Sequence, residues 1–117
     1  MLLDAPCSGL GTLGRHPDIR WRMREAEVAR QAERQARLIE SVSALVAPGG
    51  RLVYSVCSPE PEEGPGVVGP FLGGRPDFHP APLPDWARSF SGPDGFLRTG
   101  PEQDGGDAFF VAALDRR

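Results

Sequence analysis

A long amphipathic segment held between two short apolar runs constrains this chain more than any other feature. From about Ile19 to Ala47 the sequence reads as helix. Val28, Ala32, Ala36, Ile39, Val42 and Val46 recur at spacings of three and four and form one apolar stripe. Glu25, Glu27, Arg30, Glu33, Arg34 and Arg37 supply much of the polar face. Ala47-Pro48-Gly49-Gly50 stops the helix, because a proline disfavours a helical residue before it and glycine permits the turn. Residues 1–3 read as the end of a buried strand and Arg51 to Ser55 as a second strand. Strand, helix, strand in that order is a βαβ unit, which predicts a parallel pair joined by a right-handed crossover.

Between the first strand and the helix, residues 5–18 read as a loop broken by Gly9, Gly11, Gly14 and Pro17. Beyond residue 58 the texture changes. Twenty of the last 59 residues are Gly or Pro, a density approaching low complexity. The chain therefore divides into a βαβ unit at 1–59 and a Gly/Pro-rich part with closing strands at 60–117. A short helix around Glu62–Leu72 is opposed by Pro65, Gly66, Gly69 and Pro70. Residues 73–95 read as a long loop. Phe96–Arg98 and Ala108–Leu114 read as strands, with Phe96-Leu97-Arg98 paired antiparallel to Phe109-Phe110-Val111 across a Gly105-Gly106 turn.

Composition excludes several kinds of chemistry. At 117 residues the chain holds one small domain at most. Its net charge of −3 does not mark it as a nucleic-acid binder, yet residues 1–59 carry eight Arg against six acids while 60–117 carry five against ten. There is no Lys, which removes Schiff-base nucleophiles and P-loop lysines and leaves guanidinium groups for phosphate contacts. The two cysteines stand fifty residues apart, so neither a disulfide scaffold, a CxxC redox motif nor a cysteine metal pair is expected. No apolar run approaches the ~20 residues that span a bilayer, and no signal peptide is recognisable. A soluble protein of the reducing cytoplasm is the expectation.

In an open α/β sheet, ligands bind outside the carboxyl ends of the strands. Asp4, Cys7 and Cys57 all fall there, on two strands joined by one crossover. A free thiol ionises near ~8.5, and a helix N-terminus or nearby cation lowers that value and populates the nucleophilic thiolate. Gly9 and Gly11 let the backbone approach a bound planar group. Plainer readings stand beside this one. Taken singly, each cysteine suits a small core position better than a nucleophilic one. Adjacent strands, ~4.8 Å apart, also bring the two within reach of a disulfide. Asp4 could simply cap a turn.

DAPCSGLGTLGRHPDIRW followed by PGGRLVYSVCS resembles the two signature motifs of RNA cytosine-5 methyltransferases, specifically the bacterial Sun/Fmu-type ribosomal RNA enzymes. The order, the separation and the intervening helix are similar too, as is the closing DGGDAFFVAAL. The resemblance implies the carboxyl-terminal half of a Rossmann-like, S-adenosylmethionine-dependent methyltransferase fold. That half comprises strands four to seven of a mostly parallel sheet with an antiparallel last strand. It further implies that Cys57 is the nucleophile adding to carbon 6 of cytosine, which activates carbon 5 for methylation. Cys7 would assist the elimination that releases the enzyme. Asp4 would sit between the cofactor's methionine end and the target base, and Pro6 would shape the turn that holds them. The base must leave its stack to be reached. No metal is implied.

Ribosomal RNA is the implied partner. Arg15, Arg20 and Arg22, with His16 and Arg24, would form a patch for its backbone, or else a solvated helix face. Trp21 would stack a base or, better, pack beneath the loop; His79 and Trp86 receive no role. By this resemblance, the family's glycine-rich cofactor loop and amino-terminal RNA-binding region lie outside the matched part. The family continues after its second motif with a Glu-Asn pair and a helix, whereas Glu63 is followed here by Gly64-Pro65-Gly66. The competing reading is a non-catalytic remnant that pairs with itself or with another chain along an exposed strand edge.

Overall fold

The computed structural model describes residues 1–7, 25–100 and 107–117. The expected βαβ unit is present. Strand β1 covers Leu2–Asp4, helix α1 Glu25–Ser43 and strand β2 Arg51–Val56. β1 and β2 are parallel, with Leu2 beside Val53, Leu3 beside Tyr54 and Asp4 beside Ser55. The expected loop at 8–18 and the first turns of the expected helix lie outside the described residues.

The buried face of α1 differs from the stripe of apolar letters. Ile39 and Val46 are buried, and Val28, Ala32 and Val42 are half-buried, but Ala36 is exposed. Gln35 and Ser43 are buried instead, falling four residues before and after Ile39 on one helical row. Both have partners that make polar burial tolerable. Gln35 donates to the Pro6 carbonyl, and the Ser43 hydroxyl meets the Glu40 carbonyl and the Arg75 guanidinium.

Pro48-Gly49-Gly50 makes the turn into β2 as expected. Gly49 adopts φ 83°, open to glycine at no steric cost, and its N–H donates to the carbonyl of Arg116 at 2.9 Å. The helix ends earlier than the expected Ala47, at Ser43, so this turn leads into β2 and ties down the last strand rather than ending the helix.

That strand, β5 (Phe109–Arg116), is antiparallel to β2 from Arg51–Asp115 to Val56–Phe110. Leu52, Tyr54 and Val56 lie opposite Leu114, Ala112 and Phe110, and all six are buried. This shared face is the core, covered by Ile39 and Val46 from the α1 side and by Val67, Val68 and Phe71 of helix α2 (Pro65–Gly74). Phe110 makes edge contacts with the rings of Tyr54 and Phe96, whose centroids lie 6.4 and 5.7 Å away.

Helix α2 forms despite its composition. Pro65 occupies the first turn, where a missing N–H costs nothing. Pro70 lies inside the helix, where it removes a donor to the carbonyl of the exposed Gly66. Gly64 is demanded by packing: a Cβ there would stand 2.9 Å from the Phe110 ring.

The expectation of an unbroken loop at 73–95 is corrected. Strand β3 (Phe78–Pro80) and a 3-10 helix (Asp85–Phe90) lie within it. Three prolines in 80–84 hide a strand as short as β3 from composition, yet its backbone needs only the edge of β5 to pair. β4 (Leu97–Thr99) pairs with β5 as Leu97–Val111, Arg98–Phe110 and Thr99–Phe109, the expected antiparallel association. The Gly105-Gly106 turn lies outside the described residues. The strand order is β1-β2-β5-β3, with β4 also on β5; the mixed sheet has one parallel pair among the described residues, and its last strand runs antiparallel as expected.

Three carboxyl groups of this second half each accept a pair of hydrogen bonds from a guanidinium, one of them from β2. Asp94 accepts two hydrogen bonds from Arg98, Asp115 two from Arg51, and Asp77 two from Arg75. In each case the hydrogen-bonded guanidinium is the largest cause holding the acid below its ordinary value. Acids depressed on folding bind fewer protons folded than unfolded. Their stabilisation is therefore complete above about pH 4 and lost as the pH falls through the depressed values. Because the pairs are largely exposed and screened by solvent, the melting temperature should fall modestly below about pH 4. Asp94→Asn should flatten that acid limb while lowering the melting temperature at neutral pH; an unchanged limb would remove Asp94 from this account.

Candidate active site at the strand ends

The parallel register of β1 and β2 determines what meets at their carboxyl ends. With Asp4 beside Ser55, and the Ala5 N–H donating to the Ser55 carbonyl at 2.9 Å, the two chains leave the sheet side by side. Cys7 and Cys57 come within three residues of that last pair. Their sulfurs approach to 3.2 Å, neither is in a disulfide, and both are half-buried.

Beneath the thiols lies a buried polar bracket. Gln35 Nε2 donates to the Pro6 carbonyl at 2.8 Å and to Glu63 Oε1 at 3.3 Å. The Tyr54 hydroxyl donates to the Glu63 carbonyl at 2.7 Å. Gln35, Tyr54 and Glu63 are wholly buried. Burial, then the Glu63 carboxyl, then Cys7 push the Tyr54 hydroxyl far above its ordinary value, so it remains a protonated donor. Each of these buried bonds contributes on the order of 1 kcal/mol.

The residues singled out from sequence divide clearly. Cys7 and Cys57 come together. Asp4, at the end of β1, and Pro6, next to Cys7 in the chain, are exposed. Arg15, Arg20 and Arg22 lie outside the described residues, as do His16, Trp21 and Arg24. Among the described residues no His/Cys/Asp/Glu cluster could hold a metal, and no helix is long and apolar enough to cross a membrane.

Gln35 was missed from sequence. The signal was present in its phase, seven residues after Val28 and four before Ile39, but a glutamine beside Ala36 reads as polar face. Tyr54 belongs to the quoted second motif and Glu63 follows it by five residues, yet nothing in the letters couples them to Gln35.

Solved structures give the class of protein first. The chain superimposes on the crystal structure of PH0851 with a TM-score of 0.91 at 39% identity, covering 98% of this chain and 26% of that one. It also superimposes on NSun6 from Pyrococcus horikoshii, solved with SFG, with a TM-score of 0.77 at 27% identity, covering 98% of this chain and 29% of that one. The fold is thus that of the Rossmann-like methyltransferases. Residues 1–115 match the family described as 16S rRNA methyltransferase RsmB/F, and the chain belongs to that family.

Among curated relatives, ribosomal RNA small subunit methyltransferase B of Thermus thermophilus is 47% identical over 83 residues, 71% of this chain and 21% of its own length. The protein of the same name from Klebsiella pneumoniae is 40% identical over 119 residues, all of this chain and 26% of its own length. The chain therefore spans about a quarter of the length of the relatives it matches.

A dithiol at contact distance can close to a disulfide with little movement, because bonding brings sulfurs to about 2.05 Å. Diamide should convert the intact protein to an intramolecular disulfide, read as loss of two titratable thiols. Cys7→Ser and Cys57→Ser should each abolish it. Two thiols that remain alkylatable after oxidation would contradict the 3.2 Å approach.

Proposed function

We propose that this chain contributes the thiol half of the active site of an S-adenosylmethionine-dependent ribosomal RNA methyltransferase of the cytoplasm, acting on carbon 5 of cytosine. The observation that carries the reading is the meeting of Cys7 and Cys57 at 3.2 Å at the carboxyl ends of parallel strands, where ligands of α/β sheets bind. Family membership and the relatives' names favour small-subunit ribosomal RNA as substrate. SFG, an analogue of S-adenosylmethionine, in the NSun6 structure favours the methyl donor. The donor fits an exposed Asp4 carboxyl able to accept hydrogen bonds from its amino acid end, with Pro6 shaping the adjoining turn.

In this mechanism the Cys57 thiolate adds to carbon 6 of an unstacked cytosine, forming an S–C6 bond and moving an electron pair to carbon 5. S-adenosylmethionine supplies the methyl group that carbon 5 takes up. Loss of the carbon 5 proton then restores the ring double bond and breaks the S–C6 bond, returning Cys57 as thiolate. Cys7, in contact with the departing sulfur, assists that elimination. Arg15, Arg20 and Arg22 hold the RNA backbone.

The test uses the intact protein, transcribed small-subunit ribosomal RNA and labelled S-adenosylmethionine. Cys57→Ala should abolish methyl transfer and any denaturation-resistant RNA adduct. Cys7→Ser should still form the adduct but accumulate it, with turnover slowed by roughly 100-fold or more. Methylation by Cys57→Ala would overturn the assignment.

One observation favours a second reading. β1 ends the sheet order, with Leu2 68% exposed, so its outer edge is open to another strand. On that reading the chain acts as a pairing module, and the purified chain should sediment as a dimer that Leu2→Pro, which removes an outward-facing N–H, dissociates. A monomer would remove this alternative.

A further inference from the structure

We propose that Gln35 is a positioning residue that sets Cys7 against Cys57, by bridging the Pro6 carbonyl and the Glu63 side chain. The inference rests on the functional reading for its consequence in turnover, but its geometric part stands without it.

The bridge joins the chain leaving β1 to the chain beyond Cys57. On one side Gln35 Nε2 holds the carbonyl of Pro6, the residue immediately before Cys7, at 2.8 Å. On the other it meets Glu63 Oε1 at 3.3 Å, six residues after Cys57. The Glu63 backbone is in turn fixed by Tyr54, three residues before Cys57, at 2.7 Å. One carboxamide on α1 therefore spans the chain leaving β1 and the chain leaving β2. Those are the segments whose separation determines the sulfur–sulfur distance.

The chemistry of the bridge points the same way. Gln35 Oε1 is buried and has no partner among the described residues. An orphaned buried acceptor offsets much of what the two donated bonds contribute. An apolar side chain of the same length would fill the same volume in the core. What such a side chain lacks is the pair of donors, and these are aimed at Pro6 and Glu63. Among side chains neutral at pH 7, only a carboxamide offers two N–H donors from one atom.

The experiment compares Gln35→Met, Gln35→Asn and the double exchange Gln35→Glu with Glu63→Gln in the intact protein. Gln35→Met keeps length and loses both donors. Gln35→Asn keeps the donors one methylene short. The double exchange restores a bond between positions 35 and 63 but leaves no donor for the Pro6 carbonyl. Diamide closure of Cys7 to Cys57, read without RNA, should slow by roughly tenfold in all three, since misplacement of about 1 Å weakens an oriented encounter by that order or more. Turnover should fall in parallel, with KM for RNA within about twofold and with the Cys57 adduct accumulating, because release depends on Cys7 placement.

A merely structural role would be rescued by the double exchange; persistence of its slow closure is the signature of positioning through Pro6. Parental closure rates in Gln35→Met or Gln35→Asn, whichever folds by circular dichroism, would overturn the proposal. If Cys57→Ala still methylates while closure slows in the Gln35 variants, the functional reading fails and the positioning role survives. If Cys57→Ala is dead and closure is unaffected, the reverse holds.

Discussion

A slip of one residue between β1 and β2 would undo most of this molecule. Side chains alternate across a strand, so such a slip would carry Leu3 away from the face it shares with Tyr54. It would also shift Cys7 by about 3.3 Å relative to Cys57, as far as the sulfurs now lie apart. The hydrogen bond from Ala5 to Ser55 and the Pro6 carbonyl's bond to Gln35 both depend on the same alignment. β1 contributes only three residues to this pairing. Ala5 and Pro6, just past its end, hold the register as much as the strand itself does, through a buried bridge that accepts one arrangement of the two segments.

The second half of the chain supports that arrangement from behind. β5 lies along the full length of β2, and its buried letters fill the core opposite Leu52, Tyr54 and Val56. Gly64 explains how the chain departs from the expected Glu-Asn pair. The Phe110 ring occupies the space a side chain at 64 would need, so glycine and ring are complementary. Pro65 then begins α2 where a proline is tolerated, and Glu63 is delivered to the bridge from the preceding turn. A segment that reads as helix-breaking in one dimension is a helix start in three.

The legible parts of the sequence were those governed by local periodicity and by motif. The amphipathic run gave α1, Pro48-Gly49-Gly50 gave the turn, and the two closing strands paired where their apolar letters could face the core. The placement of Asp4, Cys7 and Cys57 came from the rule that parallel strands present their carboxyl ends together. Tertiary pairing hid the rest. β3 needs no strand propensity of its own, because the edge of β5 supplies its partner. Gln35 is a polar letter on a buried row, tolerated only because two segments distant in sequence bring it acceptors. Letters report the cost of burying an amide; they do not report where its partners stand.

The far edge of the sheet is divided between β3 and β4, which pair with opposite ends of β5. Neither runs longer than three residues, and β3 ends in a proline. A foreign strand would find no continuous row of donors and acceptors on that side. Along the opposite edge, β1 has no further strand beside it among the described residues. The sheet therefore has a direction in which it can grow and one in which it cannot. A strand added on that side, from the same polypeptide or from another, would lie beside the segment that carries Asp4 and leads to Cys7.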